Sequence, residues 1–167
     1  LKGADAPTTR AIYQSLAQCG TSLSIPVLGK AAKNVAYDWE ANDATAAYLR
    51  LLQKLVGEGR GKEASAATKA LLKATDKSHV RGAALDVIVA VDGKKALPLL
   101  VAALKNSDRA YRVNALRLSE RIADETWYAT VAKTLQGKAD ASVKADILNW
   151  LGTNHVASQI NAVSAQM

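Results

Sequence analysis

Asp108-Arg109-Ala110-Tyr111-Arg112 runs into Val113-Asn114-Ala115-Leu116, and this stretch decides the fold because it recurs. Downstream, Asp140-Ala141-Ser142-Val143-Lys144 leads into Ala145-Asp146-Ile147-Leu148. Upstream, Asp76-Lys77-Ser78-His79-Val80-Arg81 leads into Gly82-Ala83-Ala84-Leu85, with one extra residue before the Arg. Arg81, Arg112 and Lys144 thus stand 31 and 32 residues apart. A second element, Pro26-Val27-Leu28 ending in Lys33-Asn34, returns 72 residues later as Pro98-Leu99-Leu100 ending in Lys105-Asn106. A period of this size marks a solenoid of stacked supersecondary units.

Inside each unit the apolar residues keep helical spacing. Tyr48, Leu51, Leu52 and Leu55 fall at i, i+3, i+4 and i+7, as do Leu97, Leu100, Val101 and Leu104 and also Tyr128, Val131, Ala132 and Leu135. No segment alternates as an exposed strand does. The pattern predicts helices over about residues 8–19, 24–36, 43–56, 62–74, 78–91, 94–106, 109–123, 125–136, 141–151 and 154–165. Pro26 and Pro98 fit first turns, where a missing N–H costs little. Asn42 or Asp43, Ser78, Asp108, Asp124 and Thr153 are the expected N-caps. Gly20, Gly57, Gly93, Gly137 and Gly152 are the expected helix closers. Tyr37-Asp38-Trp39-Glu40 reads as a longer loop carrying an aromatic plug.

The chain has 167 residues, enough for one domain with a sizeable core. Its formal charge is +7, with 7 basic and 5 acidic side chains in residues 1–60 and 15 and 10 in residues 61–167. Charge so dispersed reads first as solubility, and second as attraction to nucleic acid or an acidic partner. The longest apolar stretch, Ala83 to Val91, is interrupted by Asp86 and is too short to span a bilayer. Cys19 is the only cysteine, which fits a cytoplasmic protein without excluding an exported one.

A helix opened by Pro, an Asp at the turn, then Val-Arg and an Ala-Leu helix resembles the HEAT-like repeat, in particular its short phycobilisome-lyase-type form within the armadillo-type helical folds. The resemblance covers nearly the whole chain and is strongest over residues 76–152. It implies an all-α, right-handed α-solenoid of about five stacked helical hairpins, one HEAT-like repeat domain over residues 1–167. It further implies that the Pro-bearing helices are outer and the Val-Arg helices inner. Arg81, Arg112 and Lys144 then lie on inner helices, with Asp76, Asp108 and Asp140 in the turns before them. In such repeats turn Asp and helix Arg form a ladder between neighbours. Here the third copy has Lys for Arg, and the copy near Thr45 has no basic residue, so the ladder is expected to be incomplete. Leu16-Ala17-Gln18-Cys19-Gly20 matches Leu148-Asn149-Trp150-Leu151-Gly152, so the first helix reads as inner and the last as outer. The chain is therefore expected to be a fragment of a longer protein.

No catalytic, cofactor or metal constellation is expected. His79 and His155 have no ligand at metal spacing, and His79 reads as solvated. Cys19 lacks a base and reads as a small packed group. Gly57-Glu58-Gly59-Arg60-Gly61-Lys62 fails as a phosphate loop: no Ser or Thr follows Lys62, and no strand precedes it. Asp124 and Glu125 suit a helix start. Asp38 and Glu40 have no second catalytic group. Trp39, Trp127 and Trp150 are expected to fill gaps between hairpins.

The resulting expectation is a non-catalytic scaffold that binds a protein segment or an adjacent domain of the same polypeptide, without a membrane span. Its interaction surface would lie on the inner helices near residues 80–90, 110–122 and 142–151, using Arg81, Arg112, Arg117, Arg121, Lys144 and Trp150. The first alternative is a nucleic-acid binder with a basic concave face. The second is an accessory region of a carbohydrate-active protein. It comes from a resemblance to HEAT-like regions of large exported Bacteroidetes proteins that carry a sugar-active, glycoside hydrolase-like domain, and it would place the chain outside the cytoplasm or in the periplasm.

Overall fold

The computed structural model describes residues 3–154 and 156–165, and among them there is helix but no strand. Ten α-helices follow one another: α1 (Ala6–Cys19), α2 (Ile25–Asn34), α3 (Ala44–Gly57), α4 (Gly61–Ala74), α5 (Ser78–Asp92), α6 (Leu97–Leu104), α7 (Arg109–Ser119), α8 (Glu125–Gln136), α9 (Ala141–Thr153) and α10 (Ile160–Ser164). The expected order of elements is therefore present. Short 3-10 turns precede α2, α6 and α10, so α6 and α10 are shorter than the periodicity predicts. The contacts divide the chain into two compact units, Leu1–Val91 and Asp92–Met167.

In the first unit α3 is central and packs on α1, α2 and α4. Its stripe of Tyr48, Leu51, Leu52 and Leu55 is buried, as are Leu28, Val80 and Ala84 from α2 and α5. Each such leucine contributes about 1.5–3 kcal/mol by leaving water. Gly29 lets α2 approach closely: a Cβ there would meet the Tyr48 ring at 3.3 Å. Burial, and then the neighbouring Tyr37, push the Tyr48 phenol up to about 12. The Lys54 ammonium near the end of α3 donates to the carbonyl of Gly20, just past the end of α1, at 2.8 Å. Like ends meet, so α1 and α3 run parallel.

The second unit repeats this logic. α6 packs on α7, α7 on α9, and α8 on both α9 and α10. Leu100, Leu116, Trp127, Leu135, Ile147 and Leu151 are the large, fully buried side chains here.

Several expected helix ends differ in detail. Asp108 and Asp124 cap α7 and α8, accepting from the amides of Tyr111 at 3.1 Å and Trp127 at 3.0 Å. Asp140 stands at the N-cap position of α9 but its side chain makes no capping bond. Ser78 is already helical, and Thr153 closes α9 instead of opening the next helix. Of the glycines expected to close helices, only Gly93 is left-handed, at φ 54. α3 is closed by Gly59, at φ 74, not by Gly57. Gly20 is extended; its reason is space, because a Cβ would lie 2.2 Å from the carbonyl oxygen of Leu16.

Candidate functional site

The residues expected to share an interaction surface do not share one environment. Arg112 is 3% exposed and forms the centre of a buried cluster in the second unit. Its Nε and Nη2 donate to Asp146 Oδ2 at 3.2 and 2.9 Å, and Nη1 donates to the carbonyls of Asn106 and Ser107, both at 2.9 Å. Arg109 Nε reaches the other carboxylate oxygen, Oδ1, at 2.8 Å. One carboxylate on α9 thus holds two arginines of α7. Arg112 is therefore not available to a partner, which corrects its place in the expected surface. The physical reason is its position on the stripe Arg112, Ala115, Leu116 and Ser119, all of which are buried.

Trp150 needs the same correction. It is 6% exposed, its indole N–H donates to Glu120 Oε1 at 3.0 Å, and its ring leans on Tyr128 at 6.0 Å between centroids. Asn154 Nδ2 also donates to Glu120, at 3.3 Å. The α7–α9 pair is thus tied at both ends, with Arg112 to Asp146 and Glu120 to Asn154 each 34 residues apart. A constant offset means that α7 and α9 run parallel.

The other candidate cations are scattered. Arg117 is exposed and donates to Asn114 Oδ1 at 3.1 Å. Arg121 is exposed and Lys144 half-buried, and each has an interaction within the protein. Arg81 is half-buried in the first unit, beside the α4–α5 turn. Asp108 caps its own helix, and the carboxylate bound to Arg112 is Asp146, which the repeat pattern did not single out. A signal for Asp146 was available. Val143, Asp146, Ile147 and Trp150 fall at i, i+3, i+4 and i+7, so an acid sits in an apolar stripe and calls for a buried cation.

The Tyr37-Asp38-Trp39-Glu40 loop is more organised than a plug. Ala36, Tyr37 and Asp43 are all left-handed, with φ of 50, 59 and 60. Tyr37 is the buried member; Trp39 is 59% exposed. The Glu40 carboxylate accepts from the amides of Asn42 at 2.6 Å and Ala44 at 2.7 Å, taking over the role of cap for α3 from Asp43. Asp38 pairs with Lys77. Trp39 stacks on His79, with centroids 5.0 Å apart and planes 24° from parallel. His79 is exposed, as expected, but it is also a stacking partner. A left-handed alanine costs roughly 1–2 kcal/mol, partly offset by the entropy glycine would lose on folding. Ala36→Gly is therefore expected to stabilise the first unit by about 0.5–1 kcal/mol in urea unfolding; a destabilisation would contradict the assigned backbone.

Beneath this loop a groove of about 910 Å³ is lined by Lys33, Lys73, Lys77 and Arg81, with Tyr37 and Leu72 among its apolar members and Asp76 as its one carboxylate. The second unit has a smaller hollow of about 480 Å³, with Val101, Leu104 and Val143 below Lys105, Lys133 and Lys138. Elsewhere the ionisable groups serve the fold. Lys94 and the Trp127 amide hold the Asp124 carboxyl below its ordinary range, and Arg60 does the same for Glu63. Among the described residues no group of three or more His, Cys, Asp or Glu is placed to hold a metal, and no helix is long and apolar enough to cross a membrane. Cys19 is exposed, not packed as expected, because it lies on the open side of the last turn of α1. His155 lies outside the described residues.

No protein family, curated protein or solved structure matches this chain.

Proposed function

We propose that the chain is a HEAT-like repeat, a right-handed α-solenoid of about five hairpins, acting as a non-catalytic scaffold for a protein segment or an adjacent domain. The observation that carries this reading is the bonded offset of 34 residues between parallel helices. It joins α1 to α3 through Lys54 and Gly20, and α7 to α9 through Arg112 and Asp146. Stacked hairpins bring equivalent helices of successive units into contact at a near-constant offset. The inner-helix surface would then use Val113 and Arg117, which are exposed one turn apart on α7. Nucleic-acid binding on that face could not use Arg112, which is held by Asp146 inside the protein.

Selection of displayed peptides against the purified chain, followed by cross-linking, tests the reading. The expected result is a convergent peptide family that cross-links to α7 and is lost in Val113→Glu/Arg117→Glu. Turnover of a glycoside, nucleotide or DNA substrate that one point substitution abolishes would overturn it.

A further inference from the structure

The groove at the α4–α5 turn carries chemistry that a peptide scaffold does not need, and it stands on the first unit alone. Four cationic side chains, Lys33, Lys73, Lys77 and Arg81, face one concavity that has a single carboxylate in its lining. Cations gathered around a cleft focus the field and attract anions more strongly than the same charges dispersed on a surface. Lys33 and Lys73 are exposed and form no ion pair among the described residues, so their ammonium groups are open to a ligand. Lys77 acts instead on the rim, where its pairing with Asp38 fastens the loop that carries Trp39.

Trp39 supplies the second half of the site. More than half of its surface is open, one ring face is backed by His79, and the loop on either side is pinned by Tyr37 in the core and by Glu40 on the amides of Asn42 and Ala44. Trp39 does not itself line the groove, but its neighbour Asp38 pairs with the lining Lys77 and its stacking partner His79 lies two residues from Lys77, which holds a flat ring beside the cations; nucleobases stack on such a ring while phosphates track the cations. A run of carboxylates would satisfy the lysines equally but would leave the aromatic plane without a partner.

We propose that this groove binds the phosphate-and-base chemistry of a nucleotide, free or within a single strand, with phosphate on Lys33 and Lys73 and the base on Trp39. The test titrates the intact chain with a short fluorescein-labelled oligouridylate, read by anisotropy over a salt series. Trp39→Ala is expected to weaken binding about tenfold. Lys33→Glu/Lys73→Glu is expected to weaken it further and to flatten the slope of log affinity against log salt by about 1.4, the value for two single-strand phosphate contacts. The matched reversal Arg10→Glu/Lys62→Glu, on exposed positions of α1 and α4, is expected to leave binding intact. Circular dichroism checks that every variant keeps its helix content. Uridine monophosphate separates the sources: efficient competition identifies a free-nucleotide site, and strand binding without competition identifies a single-strand site. Absence of binding at low salt, equal loss in the matched reversal, indifference to Trp39→Ala, or equal displacement by polyglutamate would each overturn the proposal.

Discussion

Asp146→Ala is expected to cost the second unit about 3–5 kcal/mol, because it leaves the buried Arg112 guanidinium without its counter-charge. Both side chains of this pair are 3% exposed, so water cannot replace the lost carboxylate without opening the α7–α9 interface. The size of the loss comes from the orphaned charge, not from the intrinsic worth of the pair. Two further variants separate these terms. Arg109→Ala removes an arginine that is 75% exposed and is expected to cost less than about 1 kcal/mol. Arg112→Met/Asp146→Leu removes both buried charges together and is expected to recover most of what Asp146→Ala loses. Urea unfolding, with hydrogen exchange at the α7 and α9 amides, reads all three. A loss below about 1 kcal/mol for Asp146→Ala would mean that Arg112 reaches solvent in solution.

Trp127→Ala is expected to destabilise the same unit by about 3–5 kcal/mol through loss of burial and the cavity left behind. Trp127 is 1% exposed and its indole N–H has no hydrogen-bond partner among the described residues. That unpaired donor offers a sharper comparison. Trp127→Phe loses part of the ring area but also removes a buried polar group that costs roughly 1–3 kcal/mol to leave unsatisfied. The phenylalanine variant is therefore expected to lose less than half of what the alanine variant loses. Equal losses in the two would show that the indole N–H is satisfied and contributes to stability.

The helices themselves were legible in the sequence because burial in a helix has a period that local reading detects. The stripe of Tyr48, Leu51, Leu52 and Leu55 announces its buried face without any knowledge of its neighbours, and Asp108 and Asp124 announce their caps because a cap is made within four residues. Sequence also determined that the basic residues Arg81, Arg112 and Lys144 recur at 31 and 32 residues. What it could not determine was which charges are taken out of water by partners far along the chain. Arg112 and Arg117 look alike in sequence, both arginines of one helix. Only packing makes the first a buried clamp on Asp146, 34 residues away, and leaves the second exposed. Trp39 and Trp127 divide in the same manner: tertiary structure buries Trp127 and leaves Trp39 exposed, backed by His79. The groove gathers side chains from three helices, so no local pattern contains it. Local periodicity determines which face of a helix turns inward, whereas long-range contacts decide which polar groups meet there and which remain for a ligand.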